Sequence, residues 1–227
     1  PVDLKHFIYE LAFEHDGKPY YLAGRKDVRE GGELWGDTTT LYTRLHEGSE
    51  RIPLTVADYD RERGSVTLVV QALGRSTLDM RDHYKAGDSF ADFVGPLGLP
   101  QHVAKVGHVV LVGGGLGVAP VYPQLRAFKQ AGNRVTGVIG FRNKDLVFWE
   151  DKFREHCDDL IVCTDDGSYG KPGFVTAALQ EVLQRDKPDL VVAIGPLPMM
   201  NACVETTRPF GVKTMVDLCE RFHDPVA

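Results

Sequence analysis

A glycine-rich stretch at residues 109–120 is the part of the sequence best suited to bind a ligand. Four apolar residues, Val109 to Val112, run directly into Gly113-Gly114-Gly115-Leu116-Gly117, and Pro120 opens a helical pattern. A short apolar run that ends in turn residues is typical of a strand buried on both faces. Glycines let the backbone approach a ligand closely, and the unpaired N–H groups of a helix N-terminus suit a phosphate. The stretch therefore predicts either a phosphate-binding turn or a plain strand-to-helix turn.

The ends of three other predicted strands favour the ligand-binding interpretation. The glycine spacing differs from the usual G-x-G-x-x-G fingerprint and is not sufficient alone. Three further apolar runs end in small, polar or turn-forming residues: Gly140-Phe141-Arg142, Thr164-Asp165-Asp166-Gly167-Ser168 and Gly195-Pro196-Leu197-Pro198-Met199-Met200. In an open α/β sheet, ligands bind outside the carboxyl ends of the strands. Four such ends together therefore predict a binding site at that edge.

The second half of the chain alternates strand and helix patterns. We predict strands at 109–112, 134–140, 159–164, 189–194 and about 211–216, with helices at 119–131, 145–156, 173–184 and 198–207. Five strands that alternate with helices indicate a doubly wound parallel sheet. Residues 101–216 are therefore predicted to form an α/β domain with a five-stranded parallel sheet.

The first hundred residues show several short strands instead. Residues 5–14 alternate apolar and polar residues, and Asp16-Gly17 is typical of a hairpin turn. A polar loop is predicted at 24–37. Further short strands, at positions such as 52–57 and 65–73, favour a small antiparallel β-barrel over residues 1–100. Ser76 and Thr77 are predicted to cap a helix that runs to about Lys85.

The bulk composition excludes several other classes of protein. The 227 residues carry a net charge of −6, which gives no basic surface for nucleic acid or an anionic membrane. No apolar run has the length of a membrane span, and no signal segment is recognisable at the N-terminus. The four cysteines lack C-x-x-C spacing, so neither a disulfide framework nor a zinc site is predicted. These features predict a cytoplasmic protein without a metal.

Five motifs follow one another in the chain between residue 50 and about residue 216. They are Glu50-Arg51-Ile52-Pro53-Leu54-Thr55-Val56-Ala57-Asp58, Leu73-Gly74-Arg75-Ser76-Thr77, Phe93-Val94-Gly95-Pro96-Leu97-Gly98, Gly113-Gly114-Gly115-Leu116-Gly117-Val118-Ala119-Pro120 and Gly195-Pro196-Leu197-Pro198-Met199-Met200. Together they resemble the ferredoxin–NADP reductase-like flavoproteins. Within that family they are most similar to the alpha subunits of NADH-dependent ferredoxin:NADP oxidoreductases (sulfide dehydrogenase type). They are more distantly similar to dihydroorotate dehydrogenase electron-transfer subunits.

The resemblance implies two cofactors, FAD and either NAD(H) or NADP(H), and a role for individual residues. In the first half, FAD would contact Arg51 through its pyrophosphate, Pro53, Leu54 and Thr55 through its isoalloxazine ring, and Gly74, Ser76 and Thr77 through its phosphates. In the second half, the pyrophosphate of NAD(P)H would lie on Gly113, Gly114, Gly115, Gly117, Ala119 and Pro120. Phe141, Arg142 and Asp166 would lie at the adenosine end, and Gly195, Pro196 and Met199 would border the nicotinamide.

Some of these residues also have ordinary structural interpretations. Met199 and Met200 could equally fill the core, because methionine adapts to irregular gaps. Asp166 could serve only to solvate a loop. Cys203 could lie beside the nicotinamide, although a buried, inert thiol is the commoner case. Arg142 could meet the 2′-phosphate of NADP(H), whereas the resemblance favours NADH. The preferred dinucleotide is therefore left open.

The function implied by the resemblance is transfer of a hydride between NAD(P)H and FAD, with electrons passed to a ferredoxin or an iron–sulfur partner or subunit. The cofactors carry this chemistry, so no catalytic residue is predicted. One alternative is a non-catalytic nucleotide-binding subunit with a degenerate flavin site. Another is a simple NAD(P)H diaphorase.

The two ends of the chain depart from the family pattern. Residues 1–49 are atypical, with Asp37 to Leu45 where relatives carry a strand pair and turn, so this part is either a divergent barrel half or of composite origin. Relatives continue past Val216 into a cysteine-rich stretch that ligates a two-iron, two-sulfur cluster. In residues 217–227 only Cys219 is a cysteine, which cannot supply four thiolates. We therefore predict a C-terminal tail without an iron–sulfur motif.

Overall fold

The computed structural model of the 227-residue chain describes residues 4–15, 18–29, 56–72, 75–89 and 102–216. The chain divides into two compact units, Pro1–His102 and Val103–Ala227. Unit 1 contains, in order, β1 (Leu4–His15), β2 (Lys18–Arg29), β3 (Val56–Asp60), β4 (Ser65–Leu68) and α1 (Arg75–His83). Unit 2 contains β5 (His108–Gly114), α2 (Val118–Gln130), β6 (Arg134–Phe141), α3 (Glu150–His156), β7 (Asp159–Thr164), β8 (Lys171–Pro172), α4 (Val175–Arg185), β9 (Leu190–Ile194), α5 (Leu197–Thr207) and β10 (Lys213–Val216).

Two antiparallel hairpins make up the described sheets of unit 1. The predicted hairpin of β1 and β2 is present, with pairs from Leu4↔Arg29 to His15↔Lys18. The predicted loop from residue 24 is wrong over its first six residues, because the β2 backbone stays paired with β1 to its end. β3 and β4 form the second hairpin around the turn at 61–64. The described residues of this unit do not test a closed β-barrel, which stays a prediction.

The limits of several predicted elements also change. β4 ends at Leu68, five residues earlier than the predicted strand. α1 begins at Arg75, so Ser76 and Thr77 lie in its first turn and not at the position before it. In unit 2, α3 begins at Glu150, not at 145, because Trp149 adopts a left-handed conformation with φ of 60° that no α-helix accommodates.

Unit 2 is built on a parallel sheet with the strand order β10-β9-β5-β6-β7-β8. All five predicted parallel strands are confirmed. The sixth strand, β8, has only two residues and pairs Cys163 with Lys171 and Thr164 with Pro172. β5 lies between β9 and β6, so both edges of this central strand are hydrogen-bonded. The glycine-rich stretch therefore emerges from the interior of the sheet.

Helices cover both faces of this sheet, which explains the apolar sequences of its strands. Every residue of β5 is buried. Leu111 belongs to the core cluster under α2 and α3, whereas its neighbours Val110 and Val112 belong to the opposite cluster, under α4 and α5. A strand in such a layer needs apolar side chains on both sides. The two packed faces hold the strand ends in fixed positions.

None of the helices in the described ranges combines the length and the apolarity needed to cross a bilayer.

Candidate nucleotide site at the carboxyl edge of the sheet

Four predicted strand ends lie side by side at the carboxyl edge of the parallel sheet. The register places Gly114 opposite Gly140 on the neighbouring β6, and Gly113 opposite Ile194 on β9. β7 follows on the far side of β6, with Phe141 opposite Thr164. The residues after β5, β6, β7 and β9 therefore share one edge, as an open α/β sheet requires for a ligand site.

The glycine turn between β5 and α2 contains glycines of two kinds. A methyl group on Gly113 would lie 3.0 Å from the Cα atom of Val118, and one on Gly117 would clash with the carbonyl oxygen of Ile194. A larger residue does not fit at these two positions, because the turn packs tightly against its own helix and against the end of β9. Gly115 differs, because it has a positive φ of 54° and a methyl group there would meet no atom of the described residues within 4 Å. Gly115 therefore borders open space.

The turn leads directly into the first turn of α2. Residues 115–117 form a short 3-10 helix, and α2 begins at Val118. The first N–H groups of a helix lack acceptors within it and carry partial positive charge. Ala119 is buried, while Pro120 is half-buried at the third helical position, where a missing N–H loses no hydrogen bond. This geometry suits an anion at the turn.

Met199 covers the two glycines at the ends of β5 and β9. A methyl group on Gly195 would lie 2.7 Å from the Met199 Cε atom, and one on Gly114 would clash with its sulfur. Met199 is partly exposed, whereas Met200 is 4% exposed and belongs to the core. The two methionines thus lie in different environments: Met199 is at the edge of the sheet, and Met200 is in the core. Pro196 beside it is exposed.

The end of β6 contributes one buried and one exposed residue. Phe141 is 4% exposed, and its ring contacts that of Phe148 edge-on with centroids 5.6 Å apart. The next side chain, Arg142, is exposed at the carboxyl edge. The backbone carbonyl of Arg142 accepts a 3.2 Å hydrogen bond from the N–H of Asp166, so these two predicted site residues are neighbours.

The loop after β7 holds the Asp166 carboxylate through Ser168. The Ser168 hydroxyl donates to the Asp166 Oδ1 atom at 2.6 Å, and the Ser168 N–H donates to the same atom at 2.9 Å. These two bonds lower the pKa of the Asp166 carboxyl below its usual range, with the hydroxyl bond the larger cause. Sequence reasoning assigned no role to Ser168. The signal was present, since aspartate two residues before serine is typical of a side-chain-closed turn.

The cysteines described by the structure are structural. Cys203 is fully buried between the sheet and α5, and burial raises the pKa of its thiol to about 12. Burial also raises the pKa of Cys163 to about 11 and that of Cys157 to about 12. All three are free thiols. Within the described ranges, no cluster of three or more potential ligand side chains could hold a metal ion.

Most predicted flavin-contacting residues fall where the structure gives no description. Arg51, Pro53, Leu54, Thr55 and Gly74 lie outside the described residues, and so does the tail at 217–227. Ser76 is in the first turn of α1, and Thr77 beside it is half-buried. The roles of these residues stay predictions.

Comparison with known proteins identifies the family. Residues 111–205 match the oxidoreductase NAD-binding domain. A solved structure of an NADH-dependent reduced ferredoxin-NADP oxidoreductase is 37% identical, with a TM-score of 0.73, over 99% of this chain and 79% of that one. The chain therefore belongs to the ferredoxin–NADP reductase-like oxidoreductases, and the predicted resemblance is confirmed.

Curated relatives within this family include electron-transfer subunits. The "dihydroorotate dehydrogenase B (NAD(+)), electron transfer subunit homolog" of Thermotoga maritima is 46% identical over 77% of this chain. The corresponding subunit of Shouchella clausii is 38% identical over 71%. The matches span 61% and 63% of those two proteins, so this chain covers less than two thirds of their length.

Proposed function

We propose that this chain is an electron-transfer module that works between NAD(P)H and FAD and passes electrons to a ferredoxin or an iron–sulfur partner or subunit. Bound nicotinamide dinucleotide supplies a hydride that bound flavin accepts, and these cofactors carry the chemistry. The observation that carries the proposal is the Gly115 turn. It borders open space at the start of a helix, on the central strand of the sheet.

The dinucleotide is proposed to lie across the carboxyl edge of unit 2. Its pyrophosphate would bind the backbone of the turn at 113–117 and the start of α2, since helix N-termini attract phosphate. Its adenosine would lie toward Arg142 and Asp166, and its nicotinamide toward Gly195, Pro196 and Met199. The exposed side chains of Arg142 and Asp166 and the position of Met199 over two glycines support this direction. The chain's part is to bind and orient the dinucleotide.

The flavin is proposed to bind residues 1–100, folded as a β-barrel. The family membership and the two hairpins support this proposal. Arg51 would pair with the FAD pyrophosphate, because a guanidinium matches phosphate geometry. We propose a cytoplasmic location, since the three described cysteines are free thiols. The names of the curated relatives support a second electron-transfer subunit or ferredoxin as the partner.

Anaerobic reduction of the purified chain tests the proposal. The protein should take up FAD and turn yellow, and NADH or NADPH should bleach the flavin absorbance without oxygen. Protein that binds NADH but takes up no FAD would point instead to a non-catalytic nucleotide-binding subunit. Reduced protein that transfers electrons to soluble dyes but to no ferredoxin would identify a diaphorase.

A pair of arginine variants tests the flavin assignment within the same assay. Arg51→Ala should lose FAD on gel filtration because the phosphate loses its guanidinium partner. Arg63→Ala is the matched control, since Arg63 lies in the β3–β4 turn with 85% of its side chain exposed. Equal flavin retention in both variants would contradict the role given to Arg51.

A further inference from the structure

Ser168 connects the loops that follow β6 and β7. Its hydroxyl accepts a 2.8 Å hydrogen bond from the backbone N–H of Lys144, and it donates to Asp166 at 2.6 Å. Lys144 belongs to the short helical turn after β6, whereas Asp166 belongs to the loop after β7. One hydroxyl group therefore uses both its donor and its acceptor capacity to join the two loops.

The loop that carries Asp166 has a fixed backbone on both sides of this contact. Thr164, which is fully buried, donates its hydroxyl to the carbonyl of Tyr169 and accepts from the Tyr169 N–H. Ahead of the serine, the N–H groups of Asp165 and Asp166 donate to the carbonyls of Phe141 and Arg142. The position of the Asp166 carboxylate is consequently set by Ser168 and by the β6 backbone together.

The Asp166 carboxylate lies at the surface, where a ligand can reach it. Both bonds from Ser168 end on one oxygen, Oδ1. Asp166 is exposed at the carboxyl edge, next to the start of the loop at Arg142. An ionised, oriented carboxylate accepts hydrogen bonds from a pair of neighbouring hydroxyl groups, and it repels an additional phosphate.

We propose that Ser168 is a positioning residue for dinucleotide binding, which holds Asp166 so that its carboxylate receives the ribose hydroxyls at the adenosine end. The inference rests on the proposed function of the carboxyl edge. Ser168 itself contacts neither the hydride donor nor the acceptor. Its loss should weaken binding and leave the rate of hydride transfer at saturation unchanged.

Binding measurements on full-length variants test this role. Ser168→Ala should raise the dissociation constants of NADH and of AMP about fivefold, the effect of one net hydrogen bond. Binding of nicotinamide mononucleotide should stay unchanged. Ser168→Thr keeps the hydroxyl at an exposed position and should restore AMP binding. Thr206→Ala is the control, because its hydroxyl bond to the Ala202 carbonyl lies toward the far end of α5 from Pro196.

The pH dependence of binding separates positioning from general damage to the fold. Binding through an ionised Asp166 weakens as the pH falls through the pKa of that carboxyl. Ser168 keeps this pKa low, so Ser168→Ala should move the loss of AMP affinity to higher pH. With Asp166→Asn in place, Ser168→Ala should no longer shift the pH profile and should have little further effect on affinity.

The outcomes separate a failure of the proposed function from a failure of the role given to Ser168. A wild-type chain that binds neither NADH, NADPH nor AMP overturns the proposed function and this inference with it. A wild-type chain that binds NADH, together with a Ser168→Ala variant of equal affinity and unchanged pH profile, overturns the inference alone. The fivefold AMP effect with rescue by threonine supports it.

Discussion

The Gly115→Ala variant separates a ligand-binding role of the glycine turn from a packing role. Alanine at a φ of 54° costs about 1–2 kcal/mol of folding free energy. The added methyl group meets no atom in the part of the chain that the structure describes, so no larger loss of stability is expected. It does project into the space proposed for the pyrophosphate. Each lost hydrogen bond to a charged phosphate costs about 1.5–3 kcal/mol, so NADH should bind roughly ten- to a hundredfold more weakly.

Gly211→Ala provides a matched control for the backbone strain. Gly211 has a φ of 62°, and a methyl group there likewise meets no atom within 4 Å among the described residues, but it precedes β10 and is not a site residue. Urea denaturation should give similar losses of stability for both variants, and isothermal titration with NADH should show weaker binding only for Gly115→Ala. Wild-type affinity in a folded Gly115→Ala variant would refute the placement of the pyrophosphate at this turn.

Three further predictions concern the packing of unit 2. Gly117→Ala should destabilise the chain more than Gly115→Ala in the same urea experiment, because its methyl group clashes with the Ile194 carbonyl. Asn133→Ala should lower the free energy of unfolding by about 2–3 kcal/mol, because the buried amide accepts from two backbone N–H groups and donates to two carbonyls. An unchanged urea midpoint would contradict this expected loss. Cys203 should resist iodoacetamide at pH 8 until the protein is denatured. Its raised pKa also predicts that stability is retained below pH 9.0 and falls as the pH rises toward about 12, which thermal denaturation against pH would show.

The parallel sheet could be predicted from the sequence because its strands are buried on both faces. A short apolar run such as Val109 to Val112 is most readily explained as a central strand of a parallel sheet. Turn residues separate these runs clearly from the helices between them. The end of β2 could not be found this way. Gly24 and the charged residues after it are typical of a loop, yet pairing with β1 keeps them extended. The two residues of β8 are too few to show any periodicity.

The sequence predicted that the strand ends meet at one edge of the sheet, but not the individual roles of the residues there. The structure brings the ends of β5, β6, β7 and β9 together at that edge. The sequence could not show that Gly117 is required by the Ile194 carbonyl, because that contact joins positions far apart in the chain. It could not show that Phe141 faces the core and Arg142 the surface at the end of β6. The role proposed for Ser168 depends on its hydrogen bond with the backbone of Lys144, which belongs to another loop.

The central position of β5 determines when the glycine turn can fold during synthesis of the chain. β5 pairs with β9, and the N–H of His108 donates to Asp189, 81 residues later in the chain. Because Gly117 packs on the carbonyl of Ile194, the glycine turn cannot reach its final packing until that residue has left the ribosome. Contacts between such distant residues form late in folding. Nascent chains that stop before β9 should therefore bind no dinucleotide, and acquisition of binding marks the moment at which β9 joins the sheet.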